Sequence, residues 1–239
     1  MPTLFCDCML GRLARWLRLL GNQVIYHRAI SDEQILKEIT ETKNYTILLT
    51  RDENLWERCH KRNLKCLQVQ KDLPLDQLSE ILNDLRGLIR IQPLSPLCPL
   101  CSGNLVPIKK SDVILEIPSF ISHVYHDFWL CDNFNCQKLY WRGIKWRDFI
   151  KMIVQYIENH IRLEMLEFIT TSYLKSHRWV VWTLHGLGDG FLREKDSLNA
   201  KIAYETALNL SSKIHQHERT KKDDLLEREI LSQKFSALY

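Results

Sequence analysis

The sequence predicts a mixed α/β fold in three parts: a parallel sheet flanked by helices, a small β region built around paired cysteines, and an all-α tail. Three observations carry this. Strand and helix signals alternate through the first 86 residues, as they do when parallel strands are joined by crossover helices. Two close cysteine pairs, Cys98/Cys101 and Cys131/Cys136, then lie in a stretch rich in aromatics and without helical period. From about Arg147 the chain reads as wholly helical, with almost no proline or β-alternation. The expected divisions are residues 1–87, 94–147 and 148–239, with RGLIRIQPLSPL as the first linker.

Each element has a local reason. Thr3 to Cys6 is a short β-run, and Leu10 to Leu20 reads as a helix closed by Gly21. QVIY is a second strand. Ser31-Asp32-Glu33-Gln34 is a capping box, in which the Ser hydroxyl takes a backbone N–H and Gln34 returns the bond. The strand YTILLT, a helix from Asp52 to about Arg62, the strand LKCLQV and a helix from Pro74 to Leu85 complete the alternation.

Composition narrows the class. At 239 residues, 45% hydrophobic and 26% charged, the chain can bury real cores. A net charge of +4 excludes a bulk polycation, so nucleic-acid binding must rest on local clusters. No run of about 18 apolar residues suits a transmembrane helix. Cys6, Asp7 and three arginines stand where a signal peptide needs its apolar core, so a cytoplasmic protein is expected. Cys6, Cys8, Cys59 and Cys66 sit in or beside apolar stretches and read as buried free thiols.

In parallel α/β sheets, binding groups gather where strands end and helices begin. Asp7 follows the first strand, Asp52 follows YTILLT, and Asp32 starts its own helix. Three carboxylates brought together repel unless a cation sits among them, and hard oxygen ligands suit Mg²⁺ or Mn²⁺. Asp is also a favoured helix N-cap, which gives Asp32 and Asp52 a structural alternative. On the first helix Leu10, Leu13, Ala14, Leu17 and Leu20 form an apolar face. Arg12, Arg15 and Arg18 fall roughly opposite, either as a solvated stripe or as forks for phosphate oxygens, with Arg51 beside Asp52. Acids for metal and arginines for phosphate suggest a nuclease.

Cys98-Pro-Leu-Cys101-Ser-Gly103 forms a zinc knuckle, with Gly103 expected to accept a positive φ. Its partner, Cys131-Asp-Asn-Phe-Asn-Cys136, has four intervening residues, within tetrahedral reach. Four thiolates leave no open position, so a Zn²⁺ here is expected to be structural, the alternatives being a reduced cysteine cluster or a different metal. Phe128, Trp129, Tyr140, Trp141, Arg142, Lys145 and Trp146 read either as RNA contacts or as the small core a ribbon needs. His123 and His126 read as residues hydrogen-bonded in the interior, the alternatives being that they replace a thiolate or touch RNA.

In the tail, WTLHGLGDGFLREKDSLNAKIAYETALNL resembles one tetratricopeptide repeat, with Leu184, Leu187, Gly188 and Phe191 in one helix and Ala200, Tyr204 and Ala207 in the next. An ordinary helical hairpin is the alternative. His215 to Arg228 is a mixed-charge run with no assigned chemistry.

FCDCMLGRLARWLRLLG, ISDEQIL, LLTRDENL, CPLC and KLYW, in this order, resemble the PIN-like ribonuclease family named for the Mut-seven C-terminal domain, over about residues 3 to 147. The resemblance implies a PIN-like α/β/α sandwich followed by a zinc ribbon. It implies metal-binding acids at Asp7, Asp32 and Asp52, with Glu33 competing with Asp32 and Asp72 or Asp76 as further candidates. It also implies hydrolysis of RNA by Mg²⁺- or Mn²⁺-activated water, leaving a 5′-phosphate and a 3′-hydroxyl. The rival readings are a non-catalytic RNA-binding adaptor and a protein-interaction scaffold acting through the helical tail.

Overall fold

The computed structural model describes residues 1–42, 45–91, 96–125, 127–141, 143–172, 178–213, 222–236 and 238. The chain divides into two compact units, Met1–Trp141 and Arg142–Tyr239.

In the first unit the strands are β1 (Thr3–Cys6), β2 (Val24–Tyr26), β3 (Thr46–Thr50) and β4 (Cys66–Gln68), and the helices are α1 (Gly11–Leu19), α2 (Asp32–Glu41), α3 (Glu53–Lys61) and α4 (Pro74–Asp84). The strands form one parallel sheet in the order β2-β1-β3-β4, with Cys6 opposite both Tyr26 and Leu49. The central strands show why the sheet must be covered on both faces. Leu4, Phe5, Cys6 and all of Thr46 to Thr50 are buried, a continuous run and not an alternating one. On one face Phe5 and Leu48 meet Ile35, Leu36 and Ile39 of α2 and Leu55 and Cys59 of α3. On the other, α1 packs against α4. The expected apolar face of α1 is fully buried, from Leu10 to Leu20.

Helix ends are fixed by the residues the sequence offers. Ser31 Oγ accepts from Gln34 N at 3.3 Å and Gln34 Oε1 accepts from Ser31 N at 3.1 Å, completing the capping box. After α1, Gly21 takes φ 89°, and Asn22 N donates to Leu17 O at 3.0 Å.

The same unit contains an antiparallel sheet, β5 (Leu105–Ile108), β6 (Phe128–Cys131) and β7 (Leu139–Trp141), in that order. The expectation that this region has no helical period is corrected. Between β5 and β6 lie α5 (Lys110–Val113) and α6 (Ser119–Val124), which place Val113, Ile117 and Ile121 against Phe128. They account for the long gap between the cysteine pairs: a three-stranded sheet has too little apolar surface alone, and the insert supplies it. Phe128 is therefore core and not an RNA contact. His126, Arg142 and the side chains of Lys145 and Trp146 lie outside the described residues.

The second unit is helical: α7 (Ile144–Tyr156), α8 (Asn159–Ser172), α9 (Arg178–Arg193), α10 (Ser197–Lys213) and α11 (Lys222–Ser236). Helices α9 and α10 form its centre, and α7 packs on α9. Close approach needs Gly188, since a Cβ there would lie 2.3 Å from the Tyr204 ring. Tyr204 donates to Asp189 Oδ1 at 2.7 Å, and Lys234 of α11 pairs with the same oxygen at 2.5 Å. Arg162 is buried and donates to Val154 O and Ile157 O at the end of α7. The mixed-charge run His215 to Arg228 falls partly outside the described residues, and α11 covers its later part.

The Leu48 side chain sits in the middle of the α2/α3 cluster. Leu48→Ala should cost about 2–5 kcal/mol, read as a lower urea midpoint. Lys37→Ala, which breaks an exposed i,i+4 pair with Glu41, should stay within about 0.5 kcal/mol of the parent.

Candidate active site and metal centre

The carboxyl edge of the parallel sheet brings Asp7 and Asp52 together through one residue, Thr50. Asp7 extends β1 and is 3% exposed. Its Oδ1 accepts from Met9 N at 2.8 Å, capping the short turn that leads into α1, so it too has a structural role. Its Oδ2 accepts from Arg51 N at 3.0 Å and from the Thr50 hydroxyl. Thr50 Oγ1 in turn accepts from Asp52 N at 3.0 Å. Asp52 caps α3, its Oδ1 taking the N–H of Leu55 at 3.1 Å. Sequence reasoning missed Thr50, which reads as an ordinary β-former; the signal was its place at a strand end directly before Arg51-Asp52.

Asp32 is not drawn to this pair. Its Oδ2 meets Arg58 Nη1 at 3.1 Å, and neighbouring Glu33 is held by Arg58 and, at 3.2 Å, by Arg62. Among the described residues, no three carboxylate, His or Cys ligand atoms gather within 4.8 Å except the four cysteines. Asp72 pairs with Arg51. Asp76 lies in the first turn of α4 and is exposed.

The arginine stripe divides. Arg12 and Arg15 are exposed, but Arg18 is 3% exposed and does not face solvent. The expectation that it contacts RNA is corrected. Its Nε donates to Val24 O at 3.1 Å and Ser102 Oγ at 2.8 Å, and its Nη1 to Pro99 O at 3.0 Å and Leu100 O at 2.9 Å. Nη2 donates to Val24 O at 2.8 Å. A three-residue step rotates a helix position by about 300°, so the stripe winds and its third member reaches the buried side. Burial lowers the guanidinium below its ordinary pKa.

Four sulfurs form the second centre. Cys98, Cys101, Cys131 and Cys136 place their Sγ atoms within 4.8 Å of one another, with Cys98–Cys136 at 3.7 Å and Cys101–Cys131 at 3.4 Å. A tetrahedral zinc with bonds of about 2.3 Å requires sulfurs about 3.8 Å apart, so the donor set fits structural zinc. Burial opposes ionisation of Cys98, yet hydrogen bonds from the Tyr140 hydroxyl and from Leu100 and Cys101 amides hold its thiol below the ordinary range. Burial pushes the Cys131 and Cys136 thiols up. A dication is what lets all four ionise together. The positive φ falls on Ser102, at 65°, and not on Gly103. Gly103 is needed for a different reason: a Cβ there would lie 2.7 Å from the Cys131 sulfur. Of the other thiols, Cys6 and Cys59 are buried as expected, Cys66 is half-buried, and Cys8 is exposed. Burial and the Cys66 neighbour push Cys59 up to about 12.

Residues 2–153 match the model of the Mut7-C RNAse domain. The chain belongs to that family. A ribonuclease-type activity follows at family level, and RNA is the ligand class the family implies. No curated protein and no solved structure matches the chain. Among the described residues, no helix of this Mut7-C protein is long and apolar enough to cross a membrane.

Elemental analysis of reduced protein should give about one zinc per chain. Cys101→Ser removes one ligand from a closed site and should lose that metal together with local order in the ribbon. Full zinc content in the Ser variant would exclude the four-sulfur site.

Proposed function

We propose that the protein is a divalent-metal-dependent ribonuclease acting at the carboxyl edge of its parallel sheet. The observation that carries this is the joining of Asp7 to Asp52 through Thr50 in a chain of the RNAse-domain family. Asp7 and Asp52 would hold Mg²⁺ or Mn²⁺, whose hard charge suits oxygen donors. A carboxylate offers about four lone-pair directions, and Asp7 uses three on its own chain, leaving one for a cation. Asp52 contributes an oxygen beyond its cap. Asp32 is the third candidate acid, and joining the pair requires its release from Arg58. Such a cation supplies activated water and charge neutralisation at a phosphate.

The chain's own groups do the rest. Thr50 fixes the Asp7 carboxylate and orients the Asp52 backbone. Arg12 and Arg15, exposed on α1, would take phosphates of single-stranded RNA, and Arg51, whose backbone N–H holds Asp7, would join them on leaving its ion pair with Asp72. We assign the 1–87 region to catalysis, 94–147 to the zinc ribbon and 148–239 to a tetratricopeptide-like helical domain that docks a protein partner. Small residues between α9 and α10 support the last assignment, with Gly188, Ala200, Ala203 and Ala207 letting Tyr204 and Phe191 fill the interface. Eight free cysteines suit the reducing cytoplasm.

Asp52→Asn keeps the cap acceptor but removes the charge. Cleavage of a labelled RNA should fall by at least on the order of a hundredfold, at near-parental melting temperature. Asp7→Asn should lose activity too, and it should also lose stability, by about 1–3 kcal/mol, because an amide N–H₂ then faces buried donors. Undiminished cleavage by Asp52→Asn would end the proposal, and binding without metal-dependent cleavage in the parent would favour the adaptor.

Arg15→Ala should weaken RNA binding and lower the slope of log affinity against log salt by about 0.7, the share of one phosphate contact on a single strand. An unchanged slope would remove Arg15 from the RNA path.

A further inference from the structure

The buried Arg18 binds two parts of the first unit together. Its partners belong to two different structures. Val24 opens the edge strand β2 of the parallel sheet, whereas Pro99 and Leu100 are the two residues between the first pair of cysteines. The guanidinium therefore joins the sheet edge to the metal-binding loop by five hydrogen bonds of 2.8–3.1 Å. Ser102 doubles the link: its Oγ donates to Val24 O at 2.8 Å and accepts from Val24 N at 3.1 Å. The Arg18 backbone adds a further bond, accepting from Leu97 N at 2.9 Å just before the knuckle.

We propose that Arg18 couples zinc occupancy of the four-cysteine site to the order of α1 and β2, so that the metal holds the arginine-bearing helix in place from the amino end of β2. The chain of contacts is continuous. Zinc fixes the Cys98–Cys101 loop in the one conformation that aims both carbonyls at Arg18, and Ser102 stays in a left-handed conformation that only special residues adopt cheaply. Without the metal, that loop keeps only weak ties: bonds of 2.8 Å and 2.9 Å between Cys98 and Gly103 or Ser102, one amide on the Cys101 sulfur and the Tyr140 hydroxyl and neighbouring amides on the Cys98 sulfur, none of which draws the four sulfurs together as a dication does. Once the carbonyls turn away, Arg18 is a buried cation short of acceptors, a state that folded proteins avoid by local opening. Its helix and Val24 must then move together.

Movement of β2 reaches the acid edge. Tyr26, at the end of that strand, donates its hydroxyl to Cys8 O at 3.4 Å and lies so close to the start of α1 that a Cβ on Gly11 would be 2.5 Å from its oxygen. Cys8 is adjacent to Asp7. The zinc centre is thus a positioning device for the sheet edge, and Arg18 is the residue through which it acts. The inference concerns folding and metal affinity, so it stands or falls separately from RNA cleavage.

Linkage makes the coupling measurable from both sides, since whatever zinc does for Arg18, Arg18 does for zinc. In the full-length protein, Arg18→Gln should raise the zinc dissociation constant, measured against a competing chromophoric chelator, by about 5–150-fold, the ordinary range for coupled sites. Arg62→Gln, an exposed residue of the α3 surface, should leave it at the parental value. Hydrogen exchange on the parent protein provides the second measurement and needs no variant to fold. Removing zinc should speed amide exchange about tenfold or more in Gly11–Leu19 and Val24–Tyr26. Parental zinc affinity in Arg18→Gln would overturn the coupling. So would unchanged exchange in α1 and β2 after the ribbon has lost its metal.

Discussion

The parallel pairing of β1 with β3 is the constraint on which the rest of the first unit depends. Both strands are buried, so helices must cover both faces, and every crossover returns the chain to the same sheet edge. Leu49 O takes the N–H of Asp7 at 3.1 Å, which carries the pairing one residue past the strand. Asp7 is then opposite the Thr50–Arg51 step, and its carboxylate ties the two strand ends together. The proposed catalytic edge and a stable sheet rest on the same bonds. Asp7 and Asp52 each cap a helical turn, and in the proposed site the same caps would aim them at a cation.

The proposed function calls on two metals for different work. The cysteines close a coordination sphere and exclude substrate, and their value lies in what they fix: a loop, two carbonyls and the Ser102 conformation. In the proposed site the acids would present a sparse set of hard oxygens at the carboxyl edge of the sheet, to which a labile cation and a phosphate would come. Arg58 stands between these roles. It engages Asp32 and Glu33, and in the proposed site its release of Asp32 would decide whether a third carboxylate joins Asp7 and Asp52.

Most of the first unit was legible from local signals. Alternation, the capping box and Gly21 located strands and helices closely, because each rests on nearest-neighbour chemistry. The cysteine pairs were legible for the same reason. What escaped depends on tertiary placement. Arg18 looked like a member of an exposed stripe, because the sequence cannot reveal that a loop more than 80 residues later supplies acceptors to it. Thr50 was invisible as a site residue since its hydroxyl matters only once β1 lies beside β3. Gly103 was recognised as special, but for backbone conformation; its actual constraint is a sulfur from the other knuckle. The helices inserted before β6 were missed because they are short, and α5 spans a single turn.

The most direct test of the central claim is incubation of zinc-loaded protein with end-labelled RNAs, with and without added Mn²⁺. Cleavage should depend on the added ion and leave 5′-phosphate ends, while zinc content stays constant. Equal cleavage with and without the ion, or none under either condition despite salt-sensitive RNA binding, would contradict a carboxylate-held divalent centre at the sheet edge.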